Sequence, residues 1–155
     1  MNCPTCGAST VEVKAVKAAK YRDEIVKVEA ESFRCDSCEE NFVTPQQMNR
    51  YVRAVKNEVR KKNGLLSPEK IVAIRAKLGI TQALLEEALG TGRKVVVKWE
   101  SGKIIQSRGH DNMLRLLERD PATLKSLQKI QQLRVAEQTK YENSSAASGT
   151  NLGAV

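Results

Sequence analysis

Aromatic side chains are scarce in this chain: phenylalanine, tryptophan and tyrosine together make up 4% of its 155 residues. A core must therefore be assembled from aliphatic side chains at helical or strand spacing, and helix is expected to dominate. Long hydrophobic runs are absent as well. None approaches the roughly 20 residues that a membrane span needs, and no apolar signal segment follows Met1, so a cytoplasmic protein with no membrane partner is expected. Histidine occurs once, as His110. With no histidine beside a nucleophile and no legible pair of carboxylates in an apolar pocket, the chain does not read as an enzyme, and His110 reads as a surface or cap residue. Cysteine is limited to four, which in a reducing compartment are thiols rather than disulfides.

What is present begins with those cysteines. Cys3-Pro4-Thr5-Cys6-Gly7 and Cys35-Asp36-Ser37-Cys38 are two CxxC units separated by 28 residues. Two such turns converging give the tetrahedral sulfur set that zinc prefers, so Cys3, Cys6, Cys35 and Cys38 are candidate ligands for one structural zinc ion. Free buried thiols and a redox or iron–sulfur role are the alternatives. Four protein ligands leave no open coordination position, which excludes a catalytic ion. Between the two turns, Val11, Val13 and Ala15, and then Val26, Val28 and Ala30, alternate with charged or polar residues as strands do. A sheet of about 40 residues buries too little apolar surface to stand alone, and the four thiolates supply the staple.

The formal charge of +8 is unevenly spread. Before Arg50, six basic residues face eight acidic ones, whereas from Arg50 to Lys77 nine basic residues face only Glu58 and Glu69. Such a stretch suits a polyanion, because each neutralised phosphate releases counterions, but a solvated helix surface reads the same way. For Lys56, Arg60, Lys61 and Lys62, phosphate contact and plain solubility are both open. The helix that carries them starts at Thr44-Pro45-Gln46-Gln47, a cap, an N1 proline and a capping-box glutamine. Met48, Val52, Val55 and Val59 mark its apolar stripe, and Asn63-Gly64 stops it.

The expected class is α+β: a small β ribbon over 1–43, a basic connecting helix and hinge over 44–66, an all-α domain of about five helices over 67–135, and a disordered tail over 136–155. Within the helical domain, Thr81 caps a short helix that Gly90 closes. The next helix, from about Gly92, turns Val96 and Trp99 inward and leaves Arg93, Lys94 and Lys98 outside, with Lys94 and Lys98 aligned at i,i+4. In a helix-turn-helix this second helix enters the major groove of DNA. Arginine and lysine suit guanine N7 and O6, and Val95 or Val97 suits thymine methyls. Gln82 and Lys103 are placed for backbone phosphates. Candidate DNA contacts are thus Gln82, Arg93, Lys94, Val97, Lys98 and Lys103; the competing reading of the cations is a solvated face.

The stretch from Leu78-Gly79-Ile80-Thr81-Gln82 to Lys98-Trp99-Glu100-Ser101-Gly102-Lys103 resembles the Xre/Cro-type helix-turn-helix family. Joined to the Cys3-Pro4-x-Cys6-Gly7 and Cys35-x-x-Cys38 ribbon, the chain resembles the MqsA family of antitoxins over residues 1–133. That resemblance implies a homodimer formed largely through the helical domain and bound to a palindromic double-stranded operator, repressing its own operon. It also implies a toxin partner held by the N-terminal domain. The family's base-reading asparagine and arginine correspond here to Lys94 and Lys98, which implies a different operator. The alternatives are a protein-interaction module or a zinc-ribbon regulator with no toxin partner.

Overall fold

The computed structural model describes residues 1–148 and contains a three-stranded antiparallel sheet followed by six helices, the α+β order expected. The chain divides into two compact units. The first takes in residues 1–70 and 99–106, the second residues 71–98 and 107–148.

In the first unit, β1 (Thr10–Tyr21) and β2 (Glu24–Cys35) form a long hairpin in continuous register from Tyr21↔Glu24 to Thr10↔Cys35. Arg22, at φ 54°, takes the left-handed conformation that lets the turn close in two residues. β3 (Asn41–Phe42) pairs only with Phe33 and Arg34, so the order is β1-β2-β3, and Phe33 stacks on Phe42 at 5.7 Å between ring centroids. α1 (Pro45–Lys62) begins at the expected capping box: the Gln47 N–H donates to Thr44 Oγ1, and the Thr44 N–H donates to Gln47 Oε1. It lies over β2 and scarcely touches β1. The alternation in β2 therefore becomes burial at Val26, Val28 and Ala30, whereas on β1 Ala19 is buried and Val11 and Ala15 are exposed. Val55 and Val59 close this core with Ala19, Val26 and Val28, Tyr21, Tyr51, Ala54 and Ile105 packing around them.

Two expectations for α1 change. Its buried face is set by Gln47, Val55, Val59 and Arg60, while Met48 and Val52 remain 45% and 40% exposed. The apolar spacing placed the stripe one position too far round, because Tyr51 and Ala54 pack beside Val55 and Val59 against the Val26–Val28 core. Nor is α1 a free connector, since its packing on β2 makes it part of the first unit. Arg60, read from sequence as a phosphate contact or a solubilising cation, is 1% exposed and donates to Asn57 Oδ1, Gln106 Oε1 and the Ile104 carbonyl. Gln106 Nε2 in turn donates to the Leu66 carbonyl. These bonds hold the segment 104–106 to α1, and the first unit runs past the connecting helix and hinge expected over 44–66, to Lys70.

The second unit contains α2 from Ile71 onward (α2 spans Pro68–Leu78), α3 (Gln82–Leu89), most of α4 (Val95–Glu100), α5 (Arg108–Arg119) and α6 (Thr123–Ser148). Ile71, Ile74, Leu85, Ala88, Val96, Leu114 and Leu117 are almost fully buried, an aliphatic core as the composition requires. α6 packs on α3 and α5. The expected tail from residue 136 is instead helix as far as Ser148, and 149–155 lie outside the described residues.

Candidate metal centre and nucleic-acid interface

The two CxxC turns are built alike. Cys3 N–H donates to the Ala8 carbonyl, and Cys35 N–H to the Glu40 carbonyl, so each first cysteine bonds five residues ahead. That closure needs a left-handed residue one place after the second cysteine. Gly7 (φ 76°) supplies it in the first turn, and Glu39 (φ 58°) in the second, at the steric cost of its Cβ. β1 and β2 bring the turns together: Thr10, just past the first turn, pairs with Cys35. The four Sγ atoms lie within 4.8 Å of one another, with Cys3–Cys38 at 3.6 Å and Cys6–Cys35 at 3.4 Å. A tetrahedral zinc with Zn–S near 2.3 Å sets sulfurs about 3.8 Å apart, so the donor set fits that ion in type, number and spacing.

The electrostatics of the four sulfurs call for a cation. The Cys6 N–H aimed at Cys3 Sγ, against the cost of desolvation and with help from the Thr5 N–H, holds the Cys3 thiol down to about 6. Cys35 is lowered in the same manner by the Cys38 N–H. At Cys38 the Glu40 N–H works toward the thiolate, yet Cys6, desolvation, Cys35 and Cys3 outweigh it and push the thiol up to about 12. Four thiolates cannot crowd together uncompensated, and a bound divalent cation removes the conflict.

The second site lies in the second unit. Thr81, with its side chain accepting the Leu84 N–H, caps α3, and Gly90 ends it at φ 65°. The left-handed conformation demands glycine, and a Cβ there would also push aside the Gln131 amide of α6, 2.9 Å away. α4 begins at Val95, not Gly92. Lys94 sits just before it in the left-handed region at φ 61°, its carbonyl accepting the Lys98 N–H at 3.3 Å. Arg93 and Lys94 therefore belong to the turn, and the expected i,i+4 alignment of Lys94 with Lys98 within one helix does not form. Val96 and Trp99 are buried; Arg93, Lys94, Val97 and Lys98 are exposed, and Gln82 is half-buried at the first position of α3. Five of the six candidate contacts thus fall in α3, the turn and α4 of one unit. Lys103 falls in the other, its carbonyl bonded by Lys56 Nζ. His110 is a cap residue, its ring Nδ1 2.9 Å from the hydroxyl of Ser107, which caps α5.

Sequence reasoning passed over Glu86. Its buried carboxylate accepts the Val96 N–H at 3.0 Å, and its carbonyl accepts the Thr91 N–H. It thereby fixes both the start of the turn and the start of α4. A carboxylate three or four places from Gln82 and Leu89 on the inward face of α3 was the available signal, since a charge survives there only with a donor to meet it.

The chain matches the model of the family described as the antitoxin component of bacterial toxin-antitoxin systems, MqsA, over residues 1–128. It is similar to antitoxin MqsA of Escherichia coli (strain K12), with 26% identity over 132 residues that cover 82% of this chain and 99% of that one. It is also similar to antitoxin HigA-2 of Vibrio cholerae serotype O1, with 27% identity over 65 residues, 42% of this chain and 62% of that protein. A match that runs from the first CxxC turn through both helix-turn-helix elements into α6 shows that the chain belongs to the MqsA family of bacterial antitoxins.

Proposed function

We propose that this antitoxin is a homodimeric, sequence-specific repressor that binds a double-stranded operator through α4 and the turn before it, autoregulates its operon, and neutralises a toxin through its N-terminal zinc domain in the cytoplasm. The observation that carries the reading is α4 itself. It is a short helix whose Val96 N–H, at its second position, donates to the buried Glu86 and whose Val96 and Trp99 are buried, while Arg93, Lys94, Val97 and Lys98 point outward. That combination gives a rigidly held row of donors and one apolar side chain, which suits base edges in a major groove. Gln82, at the start of α3, positions the unit on a phosphate, and Lys103 adds a backbone contact. Cys3, Cys6, Cys35 and Cys38 hold one zinc ion, which when bound supplies cross-linking without an open position for chemistry.

A gel-shift titration on the DNA upstream of the chain's own reading frame tests this, run at several salt concentrations. Arg93→Ala and Lys98→Ala should each lose about 1–3 kcal/mol of preference for that DNA over a scrambled duplex. Lys103→Ala should weaken both duplexes alike and flatten the salt slope. Equal binding of operator and scrambled DNA by the parent protein would overturn the assignment.

A further inference from the structure

The geometry points to the cleft between α1 and the free edge of β2 as a docking lane for an extended, acidic segment of a partner protein, added to the sheet as a strand. This deepens the reading in which the zinc domain grips the toxin, and rests on it for the partner's identity.

The register fixes which way the main chain of β2 points. Tyr21 and Glu24 flank a two-residue turn and so form a hydrogen-bonded pair; every second pair after it does the same. Residues 24, 26, 28 and 30 therefore bond to β1, and Ile25, Lys27, Glu29 and Glu31 direct their N–H and C=O groups outward. Three contacts agree with that parity: β3 pairs through Phe33, Cys35 N–H donates to Glu40, and Lys62 Nζ donates to the Ile25 carbonyl. Because β3 is only two residues long, the lane beside Lys27, Glu29 and Glu31 is empty, and their outward main-chain groups have no partner among the described residues. From Ile25 to Glu31 this edge runs roughly 20 Å at about 3.3 Å per residue, room for five or six residues of strand.

The lane opens into a cleft of about 570 Å³, with Lys27, Val28 and Glu29 on one wall and Gln47, Tyr51 and Ala54 on the other. Gln47 is 3% exposed and its Nε2 has no hydrogen-bond partner. The capping bonds from Thr44 hold its Oε1, so the orphaned donor is held in place beside the lane, where a strand's carbonyl would satisfy it. Charge selects the occupant further. Glu29 and Glu31 are met by Lys14, Glu31 also by Arg50, Glu58 by Lys61 and Glu69 by Arg53, whereas the exposed Lys27 has no carboxylate partner among the described residues. An acidic side chain on the incoming segment completes the set. The exposed edge charges also discourage β2 from pairing with another copy of itself. A nucleic acid offers no main-chain N–H or C=O groups in strand register, which is what this edge lacks.

A phage-displayed library of random seven-residue peptides, panned on the full-length zinc-loaded protein, reads this directly. Enriched peptides should carry aspartate or glutamate among alternating apolar residues, and a synthetic copy should slow amide exchange at Lys27, Glu29 and Glu31. Its affinity should fall about tenfold or more in Gln47→Glu, which keeps the acceptor that caps α1 but removes the donor, and in Lys27→Pro, which removes an edge N–H. No enrichment, or enriched peptides that bind both variants like the parent, overturns the docking lane. Operator gel shifts on the same two variants should match the parent; a parent that fails to prefer its operator sinks the repressor reading and leaves the peptide result standing.

Discussion

Glu86 and Glu39 are single residues whose roles depend on backbone geometry more than on charge. The Glu86 carboxylate meets the Val96 N–H, in the first turn of α4, in a buried setting, and a hydrogen bond to a charged group there is worth about 1.5–3 kcal/mol. Glu86→Ala should lower the thermal stability of the helical unit by an amount in that range and weaken operator binding with it. Glu87→Ala, one place along and exposed, should leave both unchanged. Glu39 stands at φ 58° where its counterpart in the first turn is glycine. Glu39→Gly should therefore stabilise the zinc-loaded ribbon by up to about 1 kcal/mol, seen as a higher urea midpoint, while Gly7→Ala should shift it the other way. The cysteine cluster was legible at this scale because CxxC spacing is a local property. Glu86 was not, because its partner lies across a turn, ten residues on.

At the scale of elements, α1 is tied to the hairpin by two ion pairs, Arg50–Glu31 at 2.6 Å and Lys62–Glu24 at 2.7 Å. The Arg50 guanidinium, then Lys14, holds the Glu31 carboxyl below the usual range, and Lys62 with Asn63 does the same for Glu24. A lowered folded value means stabilisation that is fully present above the ordinary carboxylate pKa of about 4.3 and is lost as pH falls through the lower folded value. The urea midpoint of the first unit should thus fall in acid below about pH 4, and Arg50→Ala should show a smaller acid loss attributable to this pair. An equal loss in parent and variant would show that the pair contributes nothing. Caps and strands could be read ahead of the structure: Thr44, Thr81, Gly90 and the Val26–Val28–Ala30 alternation all fall where expected. The helix face of α1 and the start of α4 could not, because the first depends on how the helix lies over β2 and the second on a left-handed Lys94.

On the scale of the whole molecule, two cores of different origin share one chain: one between a three-stranded sheet and α1, next to the four-cysteine cluster, the other made of aliphatic side chains between helices. Chelation of the metal at neutral pH should therefore erase amide protection at Cys3, Cys35 and the neighbouring strand ends. Protection at Leu85, Leu114 and Leu117 should stay unchanged; its loss would show that the metal supports both units. Metal affinity should also fall as pH drops, because each thiolate ligand must give up its proton to bind. Composition, cysteine spacing and capping residues by themselves determined the order of ribbon and helices, the four-cysteine cluster and the cationic turn, since each acts over a few residues along the chain. Only the tertiary structure decided that Arg60 is buried, that the segment 104–106 belongs with α1, and that β2 keeps an open edge beside an unsatisfied Gln47. Those outcomes rest on groups about 20 to 45 residues apart competing for the same hydrogen bonds, and no local pattern records which of them wins.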